Sequence, residues 1–562
     1  MEASDPSFNL IVVSDLSPGA PGAPRARKVD KDSLDALLRE IGPAIELPGA
    51  GSRAVLTIQE FKDFRPERLA ARVPAIAELL EFRKRVLELA SGGGSLDAVR
   101  ASLQKLGAYP ALARSLEGAL APAADAGTAA PAKSAPKPAA PAPSGSLFDL
   151  VDAEGSPSPE TPSSEAVEKT AAKLIEAVLG GSSGSKPAPA ALRAVAAQAE
   201  AAVAPMLRAV LHDRKFQELE ASWRGLRLLV RSVDFRAGCR LHVIAASRRD
   251  LLRAARDVAM PLADDLRSQG KTCALLLDFS FDGSEEELVK IAEDAAARSL
   301  PVLASAGLEV AMRDLAAGMG DTSQAPWQQL RSSSAARGLA LVANRVLLRS
   351  PYGAATDPAK DLAFEEVAGA EPPLLWGRPA WLLGVFIASS YARTGWGVDF
   401  AGRDSAAALE SLPLRPGEEA TTPLEADLTE AAANALGDAG LLPLACRRGN
   451  DRPFAAGTST VYKAGKGEPT TTLRYALFAA PVAAAMESLL GHLDMTCSIE
   501  EIARTIGAAL QIMGMTEGGA LYAASAAPSG EGRPAVAVRI RPQGGVLRGL
   551  PDLTFEVPIA LH

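Results

Sequence analysis

The most informative stretch of the chain runs from residue 216 to residue 230 and reads FQELEASWRGLRLLV. Its large apolar residues recur every three or four positions, a spacing that predicts an α-helix with one apolar face. On the polar side, Glu220 and Arg224 stand four residues apart in the order that favours an ion pair. On periodicity alone this is an amphipathic core helix. The positions singled out within it as candidate packing or interface residues are Phe216, Leu219, Glu220, Trp223, Arg224, Gly225 and Leu226.

Length and composition describe a chain with more than one domain and no strongly basic surface. At 562 residues, two or three domains are expected. Hydrophobic residues make up 48% of the chain but aromatic residues only 5%, so the cores must use small and aliphatic side chains. The formal net charge of −8 argues against a broadly basic surface for nucleic acid or anionic lipid. No nucleic-acid partner is therefore predicted.

Cysteine usage and the start of the chain predict a cytoplasmic protein. The four cysteines are scattered and form no CxxC pair, so reduced buried thiols are expected rather than a zinc site or a disulfide framework. The start, MEASDPSFNLIVVSD, is acidic and lacks the pattern of a signal peptide. The apolar windows at 374–392 and 473–490 contain arginine and proline, so no direct membrane insertion is expected.

Strands and helices alternate between residues 240 and 304, and this alternation predicts an α/β layer. Continuous apolar strands separated by helices indicate a sheet that is at least partly parallel. A further strand is predicted at 8–14, FNLIVVS, and the β-rich C-terminal end offers an edge for pairing with another chain. The fold class predicted is mixed α/β with α+β character. The elements of the alternating region are strands at 240–246, 272–279 and 301–304 and helices at 248–258 and 284–298.

The N-terminal part contains a second pattern, FKDFRP at residues 61–66. Two aromatic residues, a carboxylate and a proline in this order are typical of a strand-to-helix corner, where the carboxylate caps a helix and the proline occupies its first turn. The candidate structural residues of this corner are Phe61, Asp63, Phe64 and Pro66.

Composition shifts predict three segments along the chain. Residues 121–146 are dominated by alanine and proline and contain no large apolar side chain, which is typical of a linker. Residues 165–179 have the spacing of a short amphipathic helix between Gly, Ser and Pro tracts. The predicted organisation is a small α/β domain at 1–120, a linker with this helix at 121–189, and a larger α/β region at 190–562.

No catalytic or metal-binding constellation is found in the sequence. There are four histidines, no H-E-x-x-H motif and no G-x-S-x-G motif. The run AGKG at 464–467 lacks the first glycine of a phosphate-binding loop. We therefore predict no catalytic, cofactor-binding or metal-ligating residues and no cofactor. An assembly protein is favoured over an enzyme.

Three phrases in the C-terminal part resemble the large sheath subunit of bacterial type VI secretion systems, the TssC/VipB family. They are HDRKFQELEASWRGLRLLV at 212–230, NRVLLRSPYGAATDP at 344–358, and LLWGRPAW at 374–381 followed by TGW at 394–396. Arg345 and Arg349 are as compatible with ion pairs at the protein's own surface as with an interface role. The matching positions in the second and third phrases are Arg345, Arg349, Pro351, Tyr352, Gly353, Trp376, Gly377 and Trp396.

The N-terminal part resembles the small sheath subunit of the same systems, the TssB/VipA family. The similarity rests on FNLIVVSD at 8–15 and on LTIQEFKDFRPERLAARVPAIAELLEFRKRV at 56–86. The two resemblances together imply a fusion of small and large contractile-sheath subunits. The small-subunit-like part looks shorter after its long helix than in family members, which bears on whether strand exchange between subunits is retained.

The resemblance implies a structural role with several partners. Sheath subunits self-associate into a helical sheath around an inner-tube protein, contact baseplate components, and shorten to drive the tube into a target envelope. In some family members a AAA+ unfoldase recognises a short helix near the start of the large subunit, and by position this would be residues 165–179. Two alternatives stay open: a sheath-like accessory or adaptor protein that does not contract, and an α/β enzyme or small-molecule-binding protein.

Overall fold

The computed structural model describes the chain in several stretches. The predicted helix at 165–179 and the rest of the predicted linker up to residue 188 lie outside them. The described residues are 7–18, 23–47, 54–106, 189–311, 325–367, 374–403, 409, 411–416, 421–464, 471–493, 497–516, 519–529 and 534–559.

The strands among these residues are numbered in chain order. They are β1 Phe8–Ser14, β2 Ala26–Val29, β3 Ala44–Leu47, β4 Ala54–Thr57, β5 Cys239–Ala245, β6 Thr272–Phe281, β7 Val302–Ala306, β8 Leu339–Ala343, β9 Val346–Leu347, β10 Trp376–Gly377, β11 Leu441–Ala445, β12 Phe454–Ala455, β13 Met515–Thr516, β14 Gly519–Ala520, β15 Tyr522–Pro528, β16 Ala535–Pro542 and β17 Leu553–Pro558.

The α-helices are numbered in the same way. They are α1 Leu34–Ile41, α2 Pro66–Arg72, α3 Pro74–Ala90, α4 Leu96–Leu106, α5 Pro189–Leu211, α6 Arg214–Ser232, α7 Leu251–Ala254, α8 Met260–Ser268, α9 Glu286–Ala296, α10 Ala325–Ser332, α11 Ala380–Thr394, α12 Glu430–Asp438, α13 Leu473–Leu490 and α14 Ile499–Met513. A π-helical turn, Ala255–Ala259, joins α7 to α8.

The chain forms two compact units, and each combines segments that are distant in the sequence. Unit 1 contains residues 1–43, 217–351 and 373–562, and unit 2 contains residues 44–216 and 352–372. The units therefore do not follow the segments expected from composition, because residues of the N-terminal segment occur in both.

Unit 1 is built on an eight-stranded mixed sheet with the order β12-β11-β8-β7-β6-β1-β5-β2. Strand β1 lies between β5 and β6 and is parallel to both. The edge strands β2 and β12 are antiparallel to their neighbours. The mixed α/β class predicted from the alternating pattern is confirmed.

The position of β1 follows from its composition. A strand buried on both faces needs apolar side chains at nearly every position, and FNLIVVS meets this requirement with all its residues buried. Ile11 and Val13 join a core that includes α7, α8 and α9. On the other face, α11 crosses the central strands, and Gly384 brings its backbone close to Leu10 and Leu276.

The C-terminal end of unit 1 forms a separate three-stranded antiparallel sheet with the order β15-β16-β17. Its buried face is formed by alternating residues of β16, namely Val536, Val538 and Ile540. Helix α14 packs against β15 and β16. The C-terminal end is therefore rich in β-strands, as predicted from the sequence.

Unit 2 is mainly helical, with α3 packed along α5 and the β3–β4 hairpin beside the 3₁₀ turn Phe61–Phe64. Proline occupies the first turn of α2 at Pro66, as predicted, and the first turn of α3 at Pro74. Strand β3 and, in unit 1, strand β2 were not predicted, because each has only four residues and β2 carries two adjacent charged residues.

Candidate interface between the N-terminal segment and the C-terminal region

Strand β1 is the deepest contact between the N-terminal segment, defined as the described residues before 107, and the C-terminal region, defined as those from 189 onward. Phe8 pairs with Cys239 on one side and Thr272 on the other, and Ser14 pairs with Ala245 and Asp278. The sheet of unit 1 thus continues through a strand from the far end of the sequence. Without β1, β5 and β6 would each lose a ladder of backbone hydrogen bonds.

Trp223 fixes the chain just after β1. Its side chain is fully buried, and its indole Nε1 donates a hydrogen bond to the backbone carbonyl of Leu16 over 3.1 Å. Leu16 is also fully buried. The tryptophan of the opening helix therefore combines packing with a hydrogen bond that links the C-terminal region to the N-terminal segment.

Gly225, in the same helix, is a close-approach position. A Cβ atom at this residue would lie less than 3.0 Å from the indole of Trp381 in α11. Helix interiors normally disfavour glycine, so its presence has a packing reason. The absence of a side chain lets α6 and α11 approach each other.

Glu220 lies in a buried ion cluster, whereas helical periodicity placed it on a polar face. It is fully buried and receives Arg224 Nε over 2.7 Å and Arg349 Nε over 2.9 Å. Arg349 is itself buried. Because a lone buried carboxylate is costly, these two guanidinium groups are what make its burial tolerable. The three charges join α6 to the segment that follows β9.

The carboxyl end of β1 lies in a second charged cluster. Ser14 Oγ donates to Asp278 Oδ2 over 2.7 Å, and Arg378 Nη1 lies 3.3 Å from Asp278 Oδ1. Arg378 also contacts Ser222 Oγ over 3.3 Å. Asp15 follows directly, and burial raises its pKa to about 6. Sequence reasoning missed this cluster because its members are far apart in the chain.

His242 and Asn9 form a buried polar pair near the amino end of the same strand. His242 Nε2 and Asn9 Oδ1 are 3.1 Å apart, and Asn9 Nδ2 donates to the carbonyl of Thr272 over 3.3 Å. Burial, and to a smaller extent the nearby positive charges of Lys28 and Lys271, lower the pKa of His242 to about 4. The imidazole is therefore neutral at neutral pH.

In unit 2, the FKDFRP corner meets the first turn of α6. The ring of Phe64 contacts the ring of Phe216 edge to face, with centroids 5.9 Å apart, and also packs near Phe61. Asp63 is buried and accepts hydrogen bonds from the backbone N–H groups of Gln59 and Glu60. Its carboxylate also pairs with Arg72 over 2.8 Å. The capping role predicted for this carboxylate fits these contacts.

Arg65, between Phe64 and Pro66 of FKDFRP, binds the segment that follows SPYG. Its Nη2 donates to Asp357 Oδ1 over 2.9 Å and to the carbonyl of Pro358 over 3.0 Å. Its guanidinium also lies 5.5 Å from the ring centre of Tyr352. The sequence offered no signal for Arg65 beyond its place between two motif residues. It joins the two phrases that suggested different subunits.

A further ion pair in unit 2 links α3 to α5. Arg83 Nη2 lies 2.9 Å from Glu200 Oε2, and both side chains are partly exposed.

Tyr352 is buried, and its backbone N–H donates to Glu366 Oε2 over 2.8 Å. A Cβ on Gly353 would meet the carboxylate of Glu365, so this turn also depends on a close approach.

The remaining predicted residues have structural surroundings of their own. Arg345 forms a two-bond pair with Glu425 and stacks near Trp376, with a centroid distance of 5.7 Å. It lies beside strand β9 and not in a helix. Trp396 packs against Phe478 and Tyr522. Gly377 pairs with Val346 and lies against Leu348. The other predicted positions, which are buried, are Leu219, Leu226 and Pro351.

The described residues show no group of three or more His, Cys, Asp or Glu side chains arranged to hold a metal ion. Cys239 and Cys273 are buried free thiols, and burial raises the pKa of each to about 12. At neutral pH they are protonated and poorly nucleophilic. The strand pairing, hydrogen bonds and ion pairs described above hold the N-terminal segment and the C-terminal region together.

Two helices among the described residues, α5 and α13, are long and apolar enough by length and composition to cross a membrane. In each, 39% of the apolar window is buried inside the structure. Each also carries an internal proline, Pro205 or Pro481. Core helices of globular proteins meet the same criteria, so this is weak evidence for a membrane span.

Comparison with known proteins finds two families in the one chain. The family model VipA, of type VI secretion systems, matches residues 2–121. The family model VipB, described as the EvpB tail sheath N-terminal domain, matches residues 193–264 and 272–462. The type VI secretion system sheath protein TssC1 of Pseudomonas aeruginosa strain PAO1 is 27% identical over 334 residues, covering 53% of this chain and 67% of the relative.

The interlocked segments and these matches define a tail-sheath subunit in which two parts share one polypeptide. The chain belongs to the type VI secretion sheath-subunit families, as a fusion of a VipA-like (TssB-like) part and a VipB-like (TssC-like) part. Its role is that of a structural subunit, and these families self-assemble into a sheath.

Proposed function

We propose that each chain is one complete building block of a contractile sheath, which polymerises helically around an inner tube and shortens to propel it. The supporting observation is the position of β1. A strand of the VipA-like part lies in the middle of the VipB-like sheet, so the start of the VipA-like part folds together with VipB-like residues within unit 1. Fusion fixes their ratio at one to one and raises the effective concentration of one part for the other.

The C-terminal sheet supports assembly through strand pairing between copies. In the described part of the chain, β17 pairs with β16 on one side only. In an antiparallel ladder, every second residue of a strand directs its backbone N–H toward the partner strand, and the residues between direct theirs away from it. Just after β17, Ile559 N–H donates to the carbonyl of Pro534, which fixes this alternation along β17. By this alternation the N–H groups of Thr554 and Glu556 point away from β16. An outward row of donors is a site for adding a strand.

The role is mechanical and not catalytic in this proposal, and it requires no cofactor. Work comes from the free-energy difference between two packings of the same interfaces. The partners are further copies of the chain, an inner-tube protein and baseplate components, and assembly takes place in the cytoplasm. A AAA+ unfoldase acting on 165–179 is the least supported partner, because that segment lies outside the described residues.

Electron microscopy tests the proposal directly. Purified protein, alone and mixed with inner-tube protein, is examined in negative stain across protein and salt concentrations. Helical tubules or stacked rings are expected. A strictly monomeric species under all these conditions would contradict the proposal, and a stable complex with baseplate components without self-contacts would point to an adaptor.

Substitutions at Glu556 test the role of the outer edge of β17. Glu556→Pro removes an outward N–H but no hydrogen bond to β16, so the subunit should fold and fail to form tubules. Glu556→Ala is the matched control, since it removes the same carboxylate and its contact with Ser529 but keeps the backbone donor. Equal assembly by both variants would place the contact elsewhere.

A further inference from the structure

Strand β1 is buried on both faces, so hydrophobic patterning specifies its register only weakly. In a half-buried strand, a one-residue shift turns apolar side chains toward water. Every residue from Phe8 to Ser14 is buried, so a shifted β1 would still find buried places for its apolar side chains. Its two neighbours, β5 and β6, are also largely buried. Hydrophobicity alone therefore does not fix the register.

Packing blocks a shift of β1 in one direction. A two-residue shift that moved Phe8 into the place of Leu10 would bring its ring to Gly384 of α11. A Cβ atom at Gly384 would already lie 3.2 Å from Leu10 and 2.9 Å from Leu276. Because this place is tight even for leucine, the larger ring of phenylalanine does not fit there.

The opposite two-residue shift keeps apolar side chains in the core. It moves Val12 into the place of Leu10 and Val13 into the place of Ile11, and each valine is smaller than the side chain it replaces. At the start of the strand, the stacking of Phe8 on an aromatic ring of α11 would be lost. Packing therefore opposes this shift mainly at one end of β1.

Polar side chains at both ends of β1 oppose the same shift. Asn9 Nδ2 donates to the carbonyl of Thr272 over 3.3 Å, and its Oδ1 therefore faces His242 Nε2, 3.1 Å away. Ser14 Oγ donates to Asp278 Oδ2 over 2.7 Å. Both of these β1 residues and both of their side-chain partners are buried. The shift would place apolar side chains beside His242 and Asp278, and the loss of hydrogen bonds at buried polar groups is costly.

We propose that Asn9 and Ser14 are the register-determining residues of β1. Their hydrogen bonds to β5 and β6 select one alignment among those that the apolar residues allow. A single buried asparagine fixes register in coiled coils by the same principle. The register of β1 also decides which carbonyl meets the indole of Trp223, and in the observed alignment this is the carbonyl of Leu16. The start of the VipA-like part is thereby placed in the VipB-like sheet at one defined position.

Disulfide trapping with the buried thiol of Cys239 reads the register in the full-length chain. Cys239 pairs with Phe8 in the observed alignment and would pair with Leu10 after the shift. Phe8→Cys therefore reports the observed register and Leu10→Cys the shifted one, because a disulfide needs Cα atoms within about 7 Å of each other. Each reporter chain is refolded from urea, oxidised with diamide and digested, and mass spectrometry measures the fraction of Cys239 in the cross-link.

The reporters are compared with and without the two polar side chains. With both present, only the Phe8→Cys reporter should cross-link efficiently. Asn9→Leu and Ser14→Ala together should raise the cross-link of the Leu10→Cys reporter by about tenfold or more, and each alone should raise it less. Val13→Ala is the matched control. Its side chain is buried in either alignment, so this variant should lose stability but keep the wild-type ratio of the two cross-links.

The outcome is decisive even if the double variant does not fold, because each single variant carries the same test. The proposal is refuted if none of these variants raises the shifted cross-link above its wild-type level, since packing then sets the register. It is also refuted if Val13→Ala raises the shifted cross-link as much as they do, since any loss of stability then has the same effect.

Discussion

Truncation of Trp223 is the perturbation that bears most directly on how the two parts are joined. The side chain is fully buried, and its Nε1 holds the carbonyl of Leu16. A buried tryptophan covers about 150–250 Å² of surface, and Trp→Ala in a core costs about 3–5 kcal/mol. The carbonyl of Leu16 also loses its donor, an effect of about 1–3 kcal/mol, which places Trp223→Ala at the upper end of that range.

Trp223→Phe separates the two contributions. Phenylalanine keeps much of the packing but cannot donate to Leu16, so a loss of about 1–3 kcal/mol is expected. Trp376→Ala is the matched control, since Trp376 is only partly buried and should cost less than Trp223→Ala. Urea unfolding followed by far-ultraviolet circular dichroism gives the free energies of unfolding, and hydrogen exchange of residues 8–16 locates the effect. If Trp223→Ala and Trp223→Phe both stay within about 0.5 kcal/mol of wild type, the packing role assigned to this residue is wrong.

Three other perturbations have defined outcomes. Gly225→Ala should destabilise unit 1 by about 1–3 kcal/mol because its Cβ would overlap Trp381, whereas Gly507→Ala in α14, whose Cβ meets only ordinary contacts, should not lower the melting temperature. A double-mutant cycle on Arg65 and Asp357 should give a coupling free energy of about 0.5–1 kcal/mol. The more exposed Arg100–Asp97 pair is the control and should give a smaller coupling. Equal couplings for the two pairs would contradict the interface role assigned to Arg65. The protein should lose about 2–3 kcal/mol of its free energy of unfolding as the pH falls from about 6.5 to 4, because His242 takes up its proton first in the unfolded state. Urea titrations of His242→Gln should lack this loss. A variant whose stability has the same pH slope as wild type would contradict the prediction.

The elements with strong periodicity could be predicted from the sequence, and the long-range pairings could not. FNLIVVS has the composition of a central strand, but nothing local in it specifies that its neighbours are β5 and β6, more than two hundred residues away. The amphipathic pattern placed Phe216 and Trp223 in a core correctly. It misplaced Glu220, because the buried partner Arg349 comes from a segment whose pairing depends on tertiary structure.

The same limit explains which interface residues were missed. Arg65 and Arg378 act through groups that are distant in sequence, so each alone looks like an ordinary surface charge. Gly225 could be singled out as part of a phrase, but the reason for it, the indole of Trp381, is visible only in three dimensions.

Cleavage between the two parts tests the central claim, that the VipA-like part is an integral layer of the subunit and not a tethered neighbour. A specific protease site is placed within 121–146, the folded protein is cut, and the products are separated by size-exclusion chromatography with light scattering. The two fragments should co-elute as a one-to-one complex in native buffer, since β1 and the Arg65 and Phe64 contacts hold without the linker. Separate elution of the two fragments in native buffer would contradict the account.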